Sequence, residues 1–179
     1  MENRLCLLGF SGSILSLIFS TLKTLAYSRE ILIVQNVNVQ DDVSFECDIP
    51  YNRIWYEDFQ YQKGDGFAFS LMRPEFKNTV FSIFKELHHI SMDQYVNILH
   101  PSLLAAQNCF LDKGIYIEPG CVISPYAHIG FGVSINRGCT IGHHTVVQDF
   151  ATINVTGEEL YTQKGNSRMA PESRINFCK

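Results

Sequence analysis

From Leu99 onward every sixth residue is aliphatic: Leu99, Ala105, Leu111, Ile117, Ile123, Ile129, Ile135, Ile141, Val147 and Ile153. Six is not a multiple of 3.6, so this spacing drifts around an α-helix instead of marking one face. A period-2 strand of that length would have no use for Gly114, Gly120, Gly130, Gly132, Gly138 and Gly142. Four residues after each register position the side chains are mostly small or β-branched, among them Cys109, Ile115, Cys121, Ala127, Val133 and Cys139, as a tight interior corner requires. The pattern predicts a parallel β-helix built from hexads. Three six-residue faces make one coil, and each coil buries its aliphatic column only against its neighbours.

Ahead of the hexads the periodicity is different. A strand over 5–8, a glycine turn at 9–13 and a helix over 14–26 form one βα unit. The run Ile31-Leu32-Ile33-Val34 fits a buried parallel strand with Gln35 and Asn36 at its carboxyl end. A third strand is expected over 67–71. Pro74 then opens a helix of about a dozen residues, with Phe76, Val80, Ile83, Phe84 and Leu87 on one face. Strands alternating with helices imply a small parallel sheet. The expected organisation is an α/β, Rossmann-like N-terminal domain at residues 1–95, a β-helix at 96–157 and a polar tail at 158–179. The tail carries Glu159 where the next aliphatic residue would stand, so it is not expected to continue the coils.

A formal charge of −4 and a pI near 5.8 give no basic field, so no nucleic-acid partner is expected. The six cysteines show no CxxC pair or dense spacing, which points to reduced thiols, and Cys109, Cys121 and Cys139 fall at the inward corner as packing residues. Residues 5–22 carry no charge after Arg4, but the Gly9–Ser13 break and the lack of a small-residue cleavage site argue against a leader or membrane span. A cytoplasmic protein is expected. His88 and His89 read as a solvated helix-end pair, and Tyr51, Trp55, Tyr56, Phe59 and Tyr61 as a loop packed on its domain or a sugar-stacking cluster.

The α/β half, the junction His100-Pro101-Ser102 and the hexads together resemble the hexapeptide-repeat sugar O- and N-acetyltransferases. The sialic acid O-acetyltransferases and the enzymes acting on nucleotide-linked 4-amino sugars are the types most alike. The likeness spans about residues 3–157. Its most specific part is Asn136-Arg137-Gly138-Cys139-Thr140-Ile141-Gly142-His143, similar to the family stretch that runs from an active-site asparagine to the catalytic histidine.

The resemblance implies left-handed winding, an acetyl-CoA donor, a sugar or sugar-nucleotide acceptor, a homotrimer with active sites between subunits, and His143 as general base. Imidazole suits that task because it exchanges protons near neutrality. His144 stands where relatives carry an acid that orients the base, and Asn136 takes the position of the asparagine. Thr152, where many relatives have a coenzyme-contacting histidine, and Gly142 are the expected coenzyme contacts. Gly9, Ser11, Gly12, Gln35 and Asn36 are the expected acceptor contacts. His128, His143 and His144 do not reproduce the spacing of the β-helical carbonic anhydrases, so no metal is expected. The other reading left open is a catalytically impaired trimeric β-helix serving as a binding or scaffold protein.

Overall fold

The computed structural model describes residues 4–36, 47–154 and, for its backbone, 159–160. The chain opens with β1 (Arg4–Leu8), α1 (Gly12–Thr24), β2 (Glu30–Gln35), β3 (Asn52–Trp55), β4 (Asp65–Phe69) and α2 (Pro74–His88). The four strands form one parallel sheet in the order β3-β2-β1-β4. Both faces of β1 are covered, which is why its sequence is a continuous apolar run. Leu5 and Leu7 pack with Leu15, Ile18 and Leu22 of α1, whereas Cys6 and Leu8 share a cluster with Val80, Phe81 and Phe84 of α2. At the opposite end of the strands, Arg4 makes two bonds to the buried Asp65 carboxylate, of 2.8 and 3.1 Å.

Three details depart from the sequence expectations. The strand expected over 67–71 begins two residues earlier, and Leu71 lies beyond its end. The aromatic stretch expected to be a loop contains an edge strand, Asn52–Trp55, while Phe59 is buried in the core. The packed face of α2 is Lys77, Val80, Phe81 and Phe84; Phe76 and Leu87 are exposed. The helix is therefore rotated toward a face that includes a lysine, because that side chain finds acceptors at the junction with the β-helix. His88 ends α2 and His89 caps it in the left-handed region at φ 55°; His89 is exposed as expected, whereas His88 is half-buried with its ring 5.0 Å from that of Phe59.

Ten two-residue strands follow, from β5 (Ile98–Leu99) to β14 (Thr152–Ile153). They stack in three parallel sheets, with partners eighteen residues apart, as in Tyr116↔Ser134↔Thr152 and Thr140↔Val122. This is the left-handed parallel β-helix. The second residue of each strand is the hexad position, and Ile117, Ile123, Ile129, Ile135 and Ile141 form its column, none more than 1% exposed. Cys121 and Cys139 are buried beside them and Cys109 is packed against them. Burial pushes the Cys139 thiol up to about 11, so it is a packing group and not a nucleophile. After β14 the chain reverses, since β15 (Glu159–Leu160) pairs antiparallel with it. The remainder of the tail expected at 158–179 lies outside the described residues.

One face of the β-helix, β5 with β8 (Tyr116–Ile117), β11 (Ser134–Ile135) and β14, meets the α/β half. Ile98 and Tyr116 join the α1 cluster. Phe131 and Phe150, at coil corners, insert into the α2 cluster, where Phe131 lies 5.0 Å from Tyr95 and 5.1 Å from Phe81 between ring centroids. Among the described residues no helix is long and apolar enough to cross a membrane.

Candidate active site

The eighteen-residue period stacks equivalent corners on one another, so side chains far apart in sequence become a ladder along an edge of the prism. On the edge after β5, β8, β11 and β14 the ladder is His100, Glu118, Asn136 and Asn154. Gly138 adopts φ 70° at this edge with open space where a β-carbon would sit, so glycine serves the turn and not a close contact. Asn136 donates its side-chain N–H to the Oδ1 of Asn154, which fixes the carboxamide. Its own Oδ1 is buried and has no partner among the described residues.

One rung below, Glu118 is 1% exposed and accepts from the Nε of Arg137 at 2.9 Å. Together with Thr152, these residues wall a cleft of about 430 Å³ whose other side is Ile14 and Leu17 of α1 and Met72, Arg73 and Pro74 before and at the start of α2. The Thr152 hydroxyl donates to the carbonyl of Met72, tying the two walls together. Behind it lies Lys77, fully buried, with Nζ donating to the carbonyl of Gly132 at 2.7 Å, Ser134 Oγ at 3.2 Å and the carbonyl of Ala151 at 3.3 Å. Burial pushes this ammonium down to about 7.

Gly142, His143 and His144 form the next corner of the same coil, between β12 (Thr140–Ile141) and β13 (Val146–Val147). Both histidines are exposed, and their Nδ1 atoms are 3.0 Å apart. A hydrogen bond between two Nδ1 atoms requires one ring to carry the hydrogen there and the other to accept it. His144 holds φ 59° and lies against the ring of Tyr126 at 4.9 Å and 31°. The corner below thus fixes the ring that orients its neighbour. His128 belongs to a different position on the prism, 3.2 Å from Asp112.

The remaining expected residues sit at the carboxyl ends of the sheet strands. Gly9 has φ 98°, and a β-carbon there would meet Leu71 Cγ at 2.4 Å, so this glycine serves close packing. Ser11 is the N-cap of α1 without a side-chain capping bond, and Gly12 is the helix's first residue. Gln35 accepts from Arg53, whose guanidinium lies 4.1 Å above the Phe10 ring. The Oδ1 of Asn36 is buried and has no partner among the described residues, beside an apolar pocket lined by Tyr56, Leu71 and Phe76.

The structure therefore brings Asn136 and Thr152 into one cleft, groups Gly142, His143 and His144 at one corner, and does not line the cleft with His143 within one subunit. Sequence reasoning missed Glu118, Asn154, Arg73, Lys77 and Tyr126. Glu118 and Asn154 carried a signal, since both lie eighteen residues from Asn136 in the register. Lys77 carried none, because it reads as part of a solvated helix face.

An α/β domain seated on a three-sided β-helix is the architecture of an acetyltransferase domain already known in structure. The acetyltransferase domain of PglB from Neisseria gonorrhoeae FA1090 matches in its complex with acetyl coenzyme A, with a TM-score of 0.66 and 12% identity, over 85% of this chain and 70% of that one. Another structure of the same domain matches at 0.67 and 12%, over 84% and 70%. Perosamine N-acetyltransferase from Caulobacter crescentus, in complex with CoA and GDP-perosamine, matches at 0.49 and 15%, over 89% and 97%. The sequence matches no family model and no curated protein.

Proposed function

We propose that the chain is an acetyl-CoA-dependent acetyltransferase that modifies an amino or hydroxyl group of a sugar, an amino-sugar nucleotide or a sialic acid, in surface-glycan biosynthesis in the cytoplasm. Residues 1–95 serve as the sugar-binding domain, 96–157 as the catalytic β-helix and 158–179 as a tail. The observation that carries this reading is the His143–His144 pair on a rigid corner one hexad beyond the Asn136 cleft. With the Nδ1 hydrogen on His143 and donated to His144, the Nε2 of His143 keeps its lone pair and can take the proton of the attacking amine or hydroxyl. The acceptor atom forms a bond to the thioester carbonyl carbon, the carbon–sulfur bond breaks, and the proton passes to the thiolate that leaves.

A homotrimer completes the site in this reading, because a neighbouring copy supplies the histidine corner that the cleft of one subunit lacks. Exposed Leu104, Phe110, Tyr126 and Val146 provide apolar surface on the β-helix for such packing. Thr152 and Gly142 are assigned to the coenzyme side, and Gly9, Ser11, Gly12, Gln35 and Asn36 to the acceptor side. Thr152 has its hydroxyl engaged by Met72, which favours the second reading, a trimeric binding or scaffold protein without turnover. Thiol release from acetyl-CoA against a panel of sugar nucleotides and free sialic acids separates the two. Release with one acceptor class is expected, and no release with any member favours the scaffold reading instead.

A further inference from the structure

Lys77, in the first turn of α2, is fully buried where the two halves meet. Its Nζ lies 2.7 Å from the carbonyl oxygen of Gly132, 3.3 Å from that of Ala151 and 3.2 Å from Ser134 Oγ. A fourth oxygen, Thr152 Oγ1, is at 3.5 Å, the limit of a hydrogen bond. The two carbonyls can only accept, and the Thr152 hydroxyl has already given its hydrogen to the carbonyl of Met72. The Ser134 hydroxyl has Nζ as its only partner among the described residues. A neutral amine fits this set completely: two N–H groups serve the two carbonyls, and the lone pair accepts the Ser134 hydrogen. An ammonium covers the same three oxygens with N–H groups but leaves the Ser134 hydrogen without an acceptor and its own charge without a counter-ion.

The charged and titratable groups on the surrounding elements are engaged elsewhere. Arg73 is paired with Glu75, Lys85 lies 6.0 Å from the centre of the Phe81 ring, Asp149 accepts from the Phe131 N–H at 2.8 Å, and Glu118 accepts from Arg137. Tyr95 sits in the aromatic cluster beside α2, where burial pushes its phenol up. None of these side chains is a partner of Nζ among the described residues. Desolvation therefore acts on the amine unopposed and pushes it down to about 7.

Ser134 and Thr152 are register partners on β11 and β14, so the amine spans two coils at once. The Thr152 hydroxyl beside Nζ also holds Met72, and Met72, Pro74 and Thr152 all line the cleft. The seat of α2 on the coils and the shape of the cleft thus depend on one cluster of hydrogen bonds. A proton added to Nζ must be hydrated, and a side chain with no exposed surface gains water only when the two walls part. We propose that Lys77 is a proton-controlled brace: as a neutral amine it seats the first turn of α2 on β11 and β14 and holds the cleft in shape, and as an ammonium it lets that wall go. Lys77 is then a positioning residue for whatever the cleft binds, and the inference does not depend on the acetyltransferase reading.

Heteronuclear NMR of the full chain, with its lysines labelled at Cε and Nζ, reads the charge, and amide hydrogen exchange resolved by peptide reads the brace. The Lys77 signal is the one missing from Lys77→Met. It is expected to show a neutral amine at about pH 8.5 and to titrate between about pH 6 and 8, while the other lysines keep ordinary ammonium shifts. After correction for the intrinsic effect of pH, exchange over 72–78 and 150–154 is expected to accelerate roughly tenfold from about pH 8 to 6, with the hexads at 116–129 unchanged. Lys77→Met should abolish that pH dependence, whatever its baseline. Should the variant not fold, the natural chain decides alone: one lysine signal titrating far below the rest, in step with local exchange, supports the brace. A charged Lys77 at about pH 8.5, a titration with no change in local exchange, or an acceleration that persists in Lys77→Met overturns it.

Discussion

Lys77 Nζ lies 2.7 Å from the carbonyl oxygen of Gly132, which joins the first turn of α2 to the third coil of the β-helix. Among the described residues the ammonium has no carboxylate partner, and it donates to oxygens of Gly132, Ser134, Ala151 and Thr152. Replacing it with methionine keeps the apolar stem but orphans the Gly132 carbonyl. A loss of about 1–3 kcal/mol is expected, read by denaturant unfolding at neutral pH.

The same residue gives a pH dependence with a definite sign. Its pKa is lowered from 10.5 to about 7 on folding, by burial. Between those values the unfolded chain holds a proton that the folded chain has released, so rising pH favours folding. The contribution is complete above the unfolded value and lost as pH falls through about 7. The stability difference between the natural chain and Lys77→Met should therefore shift toward the natural chain from pH 7 to 9. A flat difference across that interval would show that the ammonium stays charged in its nest of oxygens.

His143→Ala is expected to reduce turnover by about 10² to 10⁴ with little change in melting temperature, since the side chain is exposed at a corner. His144→Ala should cost less, because in the proposed mechanism it only holds the ring of His143 through the Nδ1–Nδ1 contact. Tyr126→Ala should resemble His144→Ala, through the loss of the 4.9 Å ring contact that fixes His144. Thiol-release kinetics on an established acceptor check the order, and wild-type turnover in His143→Ala would end the assignment of the base.

Gly9→Ala is expected to destabilise by about 2–4 kcal/mol, combining the strain of a positive φ with overpacking against Leu71. Gly138→Ala should cost less, about 1 kcal/mol, because its strain comes with open space. Thermal unfolding of the two variants side by side separates a glycine needed for packing from one needed only for the turn.

Light scattering at micromolar concentration should give three times the monomer mass. Phe110→Glu, at a residue 59% exposed on β7 (Phe110–Leu111), should shift the mass toward monomer without unfolding the coil. Activity should fall with it if the histidine corner and the cleft come from different subunits.

The sequence by itself determined the β-helix, because the six-residue aliphatic column from Leu99 to Ile153 has no other periodic fold in which to bury itself. It also determined the doubly covered sheet, through the unbroken apolar runs of β1 and β2, and the placing of Gly142, His143 and His144 at an exposed corner, through the hexad register. Tertiary structure alone decided the rotation of α2, since Lys77 is tolerable on a buried face only where four oxygens from two coils converge. It likewise decided the cleft: Ile14, Met72 and Arg73 meet Asn136 only because Phe131 and Phe150 dock the β-helix against the sheet domain. Local periodicity records which way a side chain points along its own element, whereas the partner across an interface depends on how two elements pack, and no spacing within either one encodes that.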